Sequence, residues 1–221
     1  MAPASPAPPA TGPSAAPSAG TASGTAATLA RLLAPRTDDG ELLVTPADVG
    51  GPAAFQALVR SGALRRVWGD VAAPVRVPDT PTLRALAVRA VVPRGTVLAG
   101  AAAAWVLCGA PAPRTLDLLH PPGRHRPPPH PGRAPRQAQV LRDETVLVAG
   151  VLVTSVQRTA LDVATRAGTD DALATLRLLR EVCGLDVKAA ARSLELRHRW
   201  PGRPRARDRL ALLLAADDVP V

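Results

Sequence analysis

Apolar positions along the chain follow two rhythms, one near the helical repeat and one of period two. A short helix is expected over Thr28–Leu33. Thr45 with Pro46 and Asp48 reads as N-cap, first-turn proline and acidic third residue, with Gly50 as a stop. Pro52 opens another helix, whose Phe55, Leu58 and Val59 share one face before Gly62 ends it. Leu64–Trp68 alternates as a strand, Gly69-Asp70 turns the chain, and Val71–Val77 can pair back. Two short helices and a hairpin are the layout of a winged helix-turn-helix.

The pattern then changes. Asp79-Thr80-Pro81 starts a helix with Leu83, Leu86, Ala87 and Ala90 on one stripe, closed before Pro93. Val97–Ala99 reads as a strand leading into an Ala-rich buried helix, Ala101–Cys108, and Thr115–Leu119 as a further strand. Recurrent prolines exclude regular structure over Pro121–Pro135. Short strands are expected at Gln137–Leu141, Thr145–Val148 and Val151–Val153. Thr154 and Gln157 form a capping box for a helix over Ser155–Ala167, and Thr169-Asp170-Asp171 caps the next one. Two more helical segments follow, Val187–Leu196 and Arg205–Ala216. The expected fold class is α+β: a winged helix-turn-helix over 27–78, then a small α/β domain over 79–221. The second domain has a short mixed sheet flanked by helices and a Pro/Arg-rich loop at 121–136.

Composition narrows this picture. Residues 1–26 are Ala, Pro, Ser, Gly and Thr without one charge, a tail that cannot repay the entropy of ordering. With 47% hydrophobic but 2% aromatic residues, the core is Leu, Val and Ala, with Trp68, Trp105 and Trp200 as its bulky members. Cys108 and Cys183 read as buried reduced thiols. The longest apolar run, Val97–Pro113, is broken by prolines and shorter than the ~20 residues a bilayer requires. The N-terminus lacks the layout of a signal peptide, so a soluble cytoplasmic protein is expected. The formal net charge is +9, yet Lys188 is the only lysine, a bias that fits a G/C-rich genome. The charge is also uneven: six arginines face five acids up to residue 78, and 21 basic residues face 13 acidic ones afterwards.

Few residues offer chemistry. In a winged helix, Gln56 is the base-reading side chain, and Arg60, Arg65, Arg66 and Arg76 are placed to meet phosphates. Arg158 and Asp162, one helical turn apart, are expected to form a structural ion pair that fixes their helix against the sheet. His120, His125 and His130 lie among prolines with no carboxylate or cysteine nearby, and read as parts of a solvated loop. The acidic doublets Asp143-Glu144, Asp170-Asp171 and Asp217-Asp218 sit at turns or helix starts, where N-capping explains them. Phosphate-loop, dinucleotide, zinc-protease and nucleophile-elbow motifs are missing. The Thr115–Leu118 strand resembles the acidic strand of nucleotidyltransferases, but a lone Asp117 cannot hold two metals. The expectation is no enzyme, no catalytic residue, no metal and no cofactor.

Three stretches resemble the AbiEi-type antitoxins of type IV toxin–antitoxin, abortive-infection systems, a family common in actinobacteria. They are LLVTPADVGG…FQALVRSGALRRVWGDV, VLAGAAAAWVLCG and GVLVTSVQRTALDVA, the last carrying Gly150, Val153, Thr154, Arg158, Thr159 and Asp162. The resemblance spans roughly Leu42 to Leu214. It implies an autorepressor that binds its own operator DNA and counters a nucleotidyltransferase-like toxin. It also implies that the endonuclease-like domain of longer relatives, which begins near Asp217–Val221, is missing. The alternative is a stand-alone transcriptional regulator or interaction module. On the antitoxin reading the basic excess grips an acidic toxin surface, through Arg124, Arg126, Arg133, Arg136, Arg203, Arg205 and Arg209.

Overall fold

A computed structural model describes residues 42–198 and 200–215. The fold is mixed α+β. The expected tail and the Thr28–Leu33 helix lie outside the described residues.

The helix expected from Thr45 is only a four-residue 3-10 turn, Pro46–Val49, ended by Gly50 in the left-handed region. Its capping does form, since Asp48 accepts from the Thr45 amide at 2.8 Å and hydroxyl at 2.7 Å. Helix α1 (Pro52–Arg60) buries Phe55 against Val44, Leu64 and Ala72. Strands β1 (Leu64–Trp68) and β2 (Val71–Pro74) form an antiparallel hairpin, with β2 three residues shorter at its end than expected. Val44 bridges to Ala72 and so ties the start of the unit to the hairpin.

Thr80 accepts from the Leu83 amide and caps α2 (Pro81–Val88). Strand β3 (Val97–Leu98) runs directly into α3 (Gly100–Cys108). Then come β4 (Leu116–His120), β5 (Arg133–Gln137), β6 (Thr145–Val148) and β7 (Val151–Thr154). The remaining helices are α4 (Val156–Arg166), α5 (Thr169–Cys183), α6 (Val187–Glu195) and α7 (Arg203–Ala215). The second sheet has the order β5-β4-β3-β7-β6. β3 is parallel to β7 and β4 to β5; the β3–β4 and β6–β7 pairs are antiparallel.

Two cores meet at α3. Its Ala102, Ala103, Trp105 and Val106 pack with Leu98, Leu116, Leu118 and Val153 of the sheet and with α2. Its Ala104 and Cys108 pack instead against Leu161, Leu176, Leu179, Leu194 and Leu210 of the C-terminal helices. Small side chains suit a helix enclosed on both sides, where larger ones would overfill the space. The hairpin joins the first of these cores through Val67 and Ala73. Trp68 secures that contact by donating to the Pro113 carbonyl at 2.8 Å. A Cβ on Gly132 would lie 2.8 Å from the same indole, so this position requires glycine.

Several local expectations change. β5 crosses Pro135, which the proline count excluded; as the edge strand it needs no amide donor on its outer side. The expected Gln137–Leu141 strand is not formed beyond Gln137. Ser155, not Thr154, caps α4; the Thr154 hydroxyl instead meets that of Thr159 at 2.7 Å, both buried. Gly168, not Thr169, is the cap of α5. His120 is no loop residue: it ends β4, is buried, and its Nδ1 has no partner among the described residues. His125 and His130 are exposed. Both cysteines are free, Cys108 buried and Cys183 half-buried, and burial raises both thiol pKa values.

Candidate functional site

β3 and β7 lie side by side and parallel, and each feeds a helix, α3 and α4. The start of α3 and the length of α4 from Arg158 to its last residue, Arg166, line one cleft of about 970 Å³. Gly100 and Ala101 come from α3, Asp117 from β4, Arg136 and Gln137 from β5, and Arg158, Asp162 and Arg166 from α4. The chain between α6 and α7 closes the far side with Arg197 and Trp200, and Arg205 of α7 completes it.

The central feature is a buried ion network. Arg158 donates through Nε to Asp162 at 3.2 Å and through Nη1 to Glu144 at 2.8 Å. A third bond reaches the Gln139 carbonyl at 3.3 Å. Asp162 also accepts from Arg136 at 2.8 Å, and Glu144 also accepts from Arg197 and from the Leu141 amide. Both Arg158 and Asp162 are 2% exposed. At that burial an unpaired charge is costly, so the density of partners is what makes the network tolerable. The guanidinium carbons of Arg158 and Arg197 lie 4.6 and 4.9 Å from the centre of the Trp200 ring. The expected Arg158–Asp162 pair is therefore present, as one edge of a larger assembly that also joins the sheet to the segment before α7.

Glu144 was expected only to cap a turn, and instead it is the second hub of this network. Asp117 was expected to be isolated, and it sits against the start of α3. A Cβ on Gly100 would lie 2.8 Å from its Oδ2, and Gly100 has φ +55, so both space and backbone require glycine. Burial pushes the Asp117 carboxyl above its ordinary pKa, while the charges of Arg166 and Arg136 pull it back.

The arginines expected to meet a partner separate into three groups. Arg136 and Arg205 line the cleft. Arg124 and Arg126, with Arg136 again, border a smaller pocket of about 480 Å³ beside His120 and His125. Arg133, Arg203 and Arg209 line neither. Arg209 is a correction: it is buried, donates to the Ala164 carbonyl at 2.7 Å and to Thr169 at 3.2 Å, and cannot offer itself to a partner. Arg203 is paired with Glu195, whose carboxyl is held below its ordinary pKa chiefly by hydrogen bonding to Arg207.

The residues expected to meet DNA are all on the N-terminal unit. Gln56 and Arg66 meet each other at 3.1 Å, and Arg66 also pairs with Asp70 at 3.1 Å. Arg65 donates to the Val77 carbonyl at 3.3 Å and lies 3.7 Å from Asp79. Arg60 and Arg76 are exposed.

Among the described residues no three His, Cys, Asp or Glu side chains stand together as metal ligands, and no helix is long and apolar enough to cross a membrane. No protein-family model matches the chain, and no curated protein matches it. Among solved structures, the RV2827C protein from Mycobacterium tuberculosis is similar at 18% identity. That match covers 81% of this chain and 78% of the other, with a TM-score of 0.31. At that score the likeness transfers neither a detailed fold nor a role.

Proposed function

We propose that the chain is an AbiEi-like antitoxin: a DNA-binding autorepressor that counters a nucleotidyltransferase-like toxin. The observation that carries this reading is where the resembling segments lie. Gly100 of the VLAG stretch and Arg158 and Asp162 of the GVLVTSVQRTALDVA stretch, distant in sequence, line one cleft. Thr154 and Thr159 of the second stretch lock the strand-to-helix joint beneath it. Residues that share a physical task in this fold are the ones that carry the resemblance.

On this reading the N-terminal unit is a winged helix-turn-helix. The 3-10 turn and α1 are its two helices, the β1–β2 hairpin is its wing, and Gln56, Arg60, Arg65, Arg66 and Arg76 are its DNA contacts. The Arg66–Gln56 and Arg66–Asp70 contacts are exposed, so phosphates can replace them at small cost. The exposed Arg124 and Arg126 on the loop between β4 and β5 face the toxin, an acidic surface. The chain acts in the cytoplasm by binding and not by catalysis.

Co-expression tests the antitoxin role. A nucleotidyltransferase-like toxin encoded beside this chain should arrest growth alone and not in its presence. Growth arrest that persists with the folded chain present overturns the role. Retardation of the chain's own promoter DNA, weakening steeply between two salt concentrations, is the expected sign of phosphate contacts.

A further inference from the structure

The cleft carries more positive charge than its own acids neutralise. Arg136, Arg158, Arg166, Arg197 and Arg205 line it, against Asp117 and Asp162. Arg158 already bonds two carboxylates and a carbonyl, and Arg136 and Arg197 each have a carboxylate partner. Arg166 and Arg205 are different. Both are exposed, and Arg205 makes one long hydrogen bond, 3.4 Å, to the Thr165 carbonyl. Among the described residues the Arg166 guanidinium has no hydrogen bond or ion pair, and acts on Asp117 only through its charge. Arg136 also keeps a buried Nε without an acceptor.

The shape and lining narrow the ligand. A cleft of about 970 Å³ lies within the range of sites that enclose small molecules, roughly 300–1,000 Å³. Guanidinium forks match phosphate oxygens in pairs. The partly exposed guanidinium of Arg197, held over the Trp200 ring, and the exposed amides of Gln137 and Gln139 supply a stacking plane and edge contacts of the kind bases use.

We infer that this cleft binds a nucleoside 5′-monophosphate, with Arg166 and Arg205 on the phosphate and the Trp200 side on the base. The site goes beyond the antitoxin reading and stands or falls without it. The same phosphate chemistry could be met by inorganic phosphate, and separate arms of one experiment distinguish the two. Calorimetric titration of the full chain uses the four ribonucleoside 5′-monophosphates, inorganic phosphate and adenosine as probes.

The expected result is saturable binding of at least one monophosphate at about 1 mM or tighter, with inorganic phosphate and adenosine each about tenfold weaker or more. R166A/R205A should weaken that binding about tenfold or more, and R166K/R205K, which keeps charge without the fork, should fall between. R177A, an exposed arginine on α5 outside the cleft, should bind as the unaltered chain does. Circular dichroism confirms that each variant is folded. Failure of every monophosphate to saturate overturns the inference. So does unchanged affinity in R166A/R205A, or inorganic phosphate binding as tightly as the nucleotides.

Discussion

Arg66 and Arg158 each face an aspartate four residues on, at 3.1 and 3.2 Å, and the two pairs do different work. Arg66 and Asp70 bracket the tip of the β1–β2 hairpin and are 38% and 73% exposed; Arg158 and Asp162 are both 2% exposed. In water the first pair gains little, because solvent screens it and two mobile side chains must be held still. The second pair has lost its solvent, so its stability rests on Glu144, Arg136 and the Gln139 carbonyl. Residue type and spacing are shared. Burial and the number of partners set the outcome: one pair stays exchangeable, as the proposed DNA contact requires, while the other holds the cleft in shape.

The largest break in this comparison is R158A. It leaves Asp162 and Glu144 buried with fewer partners, and should cost about 3–5 kcal/mol in urea denaturation. A loss near the surface-pair range would show that the joint relaxes or admits water. R209A comes next. It strands the Ala164 carbonyl inside the helical core, at about 1–3 kcal/mol by the same measurement.

D117N sharpens the account through pH. The folded carboxyl titrates above its ordinary value, so the native state binds more protons than the unfolded state in the window just above that value. Asp117 therefore lowers stability as pH rises through the window. The melting temperature of D117N relative to the unaltered chain should be more favourable at pH 7 than below about pH 3, where both states carry the proton. A gap that narrows toward neutrality contradicts the burial of this group. The smallest effect belongs to R66A, within about 1 kcal/mol and shrinking with added salt.

Much of this fold is legible in the chain because its signals are local. A capping threonine and a proline after it specify the start of α2, although its buried set is Leu83, Arg84, Ala85, Ala87 and Val88 and not the expected stripe. Apolar Leu64 and Val67 mark β1, whose alternation a bulge after Arg66 breaks. The Arg158–Asp162 contact follows from the helical repeat alone. Glu144 could not be read that way, since its arginine partners lie 14 and 53 residues downstream. Arg209 belongs to a helix in which charged and apolar residues alternate without a clean face, so nothing in the pattern marks it as buried. Pro135 misled for another reason: a proline argues against a strand until the strand is known to lie on an edge. Charge excess was visible in the sequence, but not which arginines the fold would neutralise. Arg166 emerges as an available cation only when α4 is seen beside Asp117 and the segment before α7.

The proposed division of labour between the two regions can be measured directly with two charge reversals. In cells expressing a nucleotidyltransferase-like toxin encoded beside this chain, which the proposed role requires, R124E/R126E should lose growth rescue while still retarding the chain's own promoter DNA. R65E/R66E should do the opposite, keeping rescue and losing retardation. If R65E/R66E abolishes rescue and R124E/R126E leaves both activities intact, the assignment of toxin binding to the basic loop and of DNA binding to the hairpin is wrong.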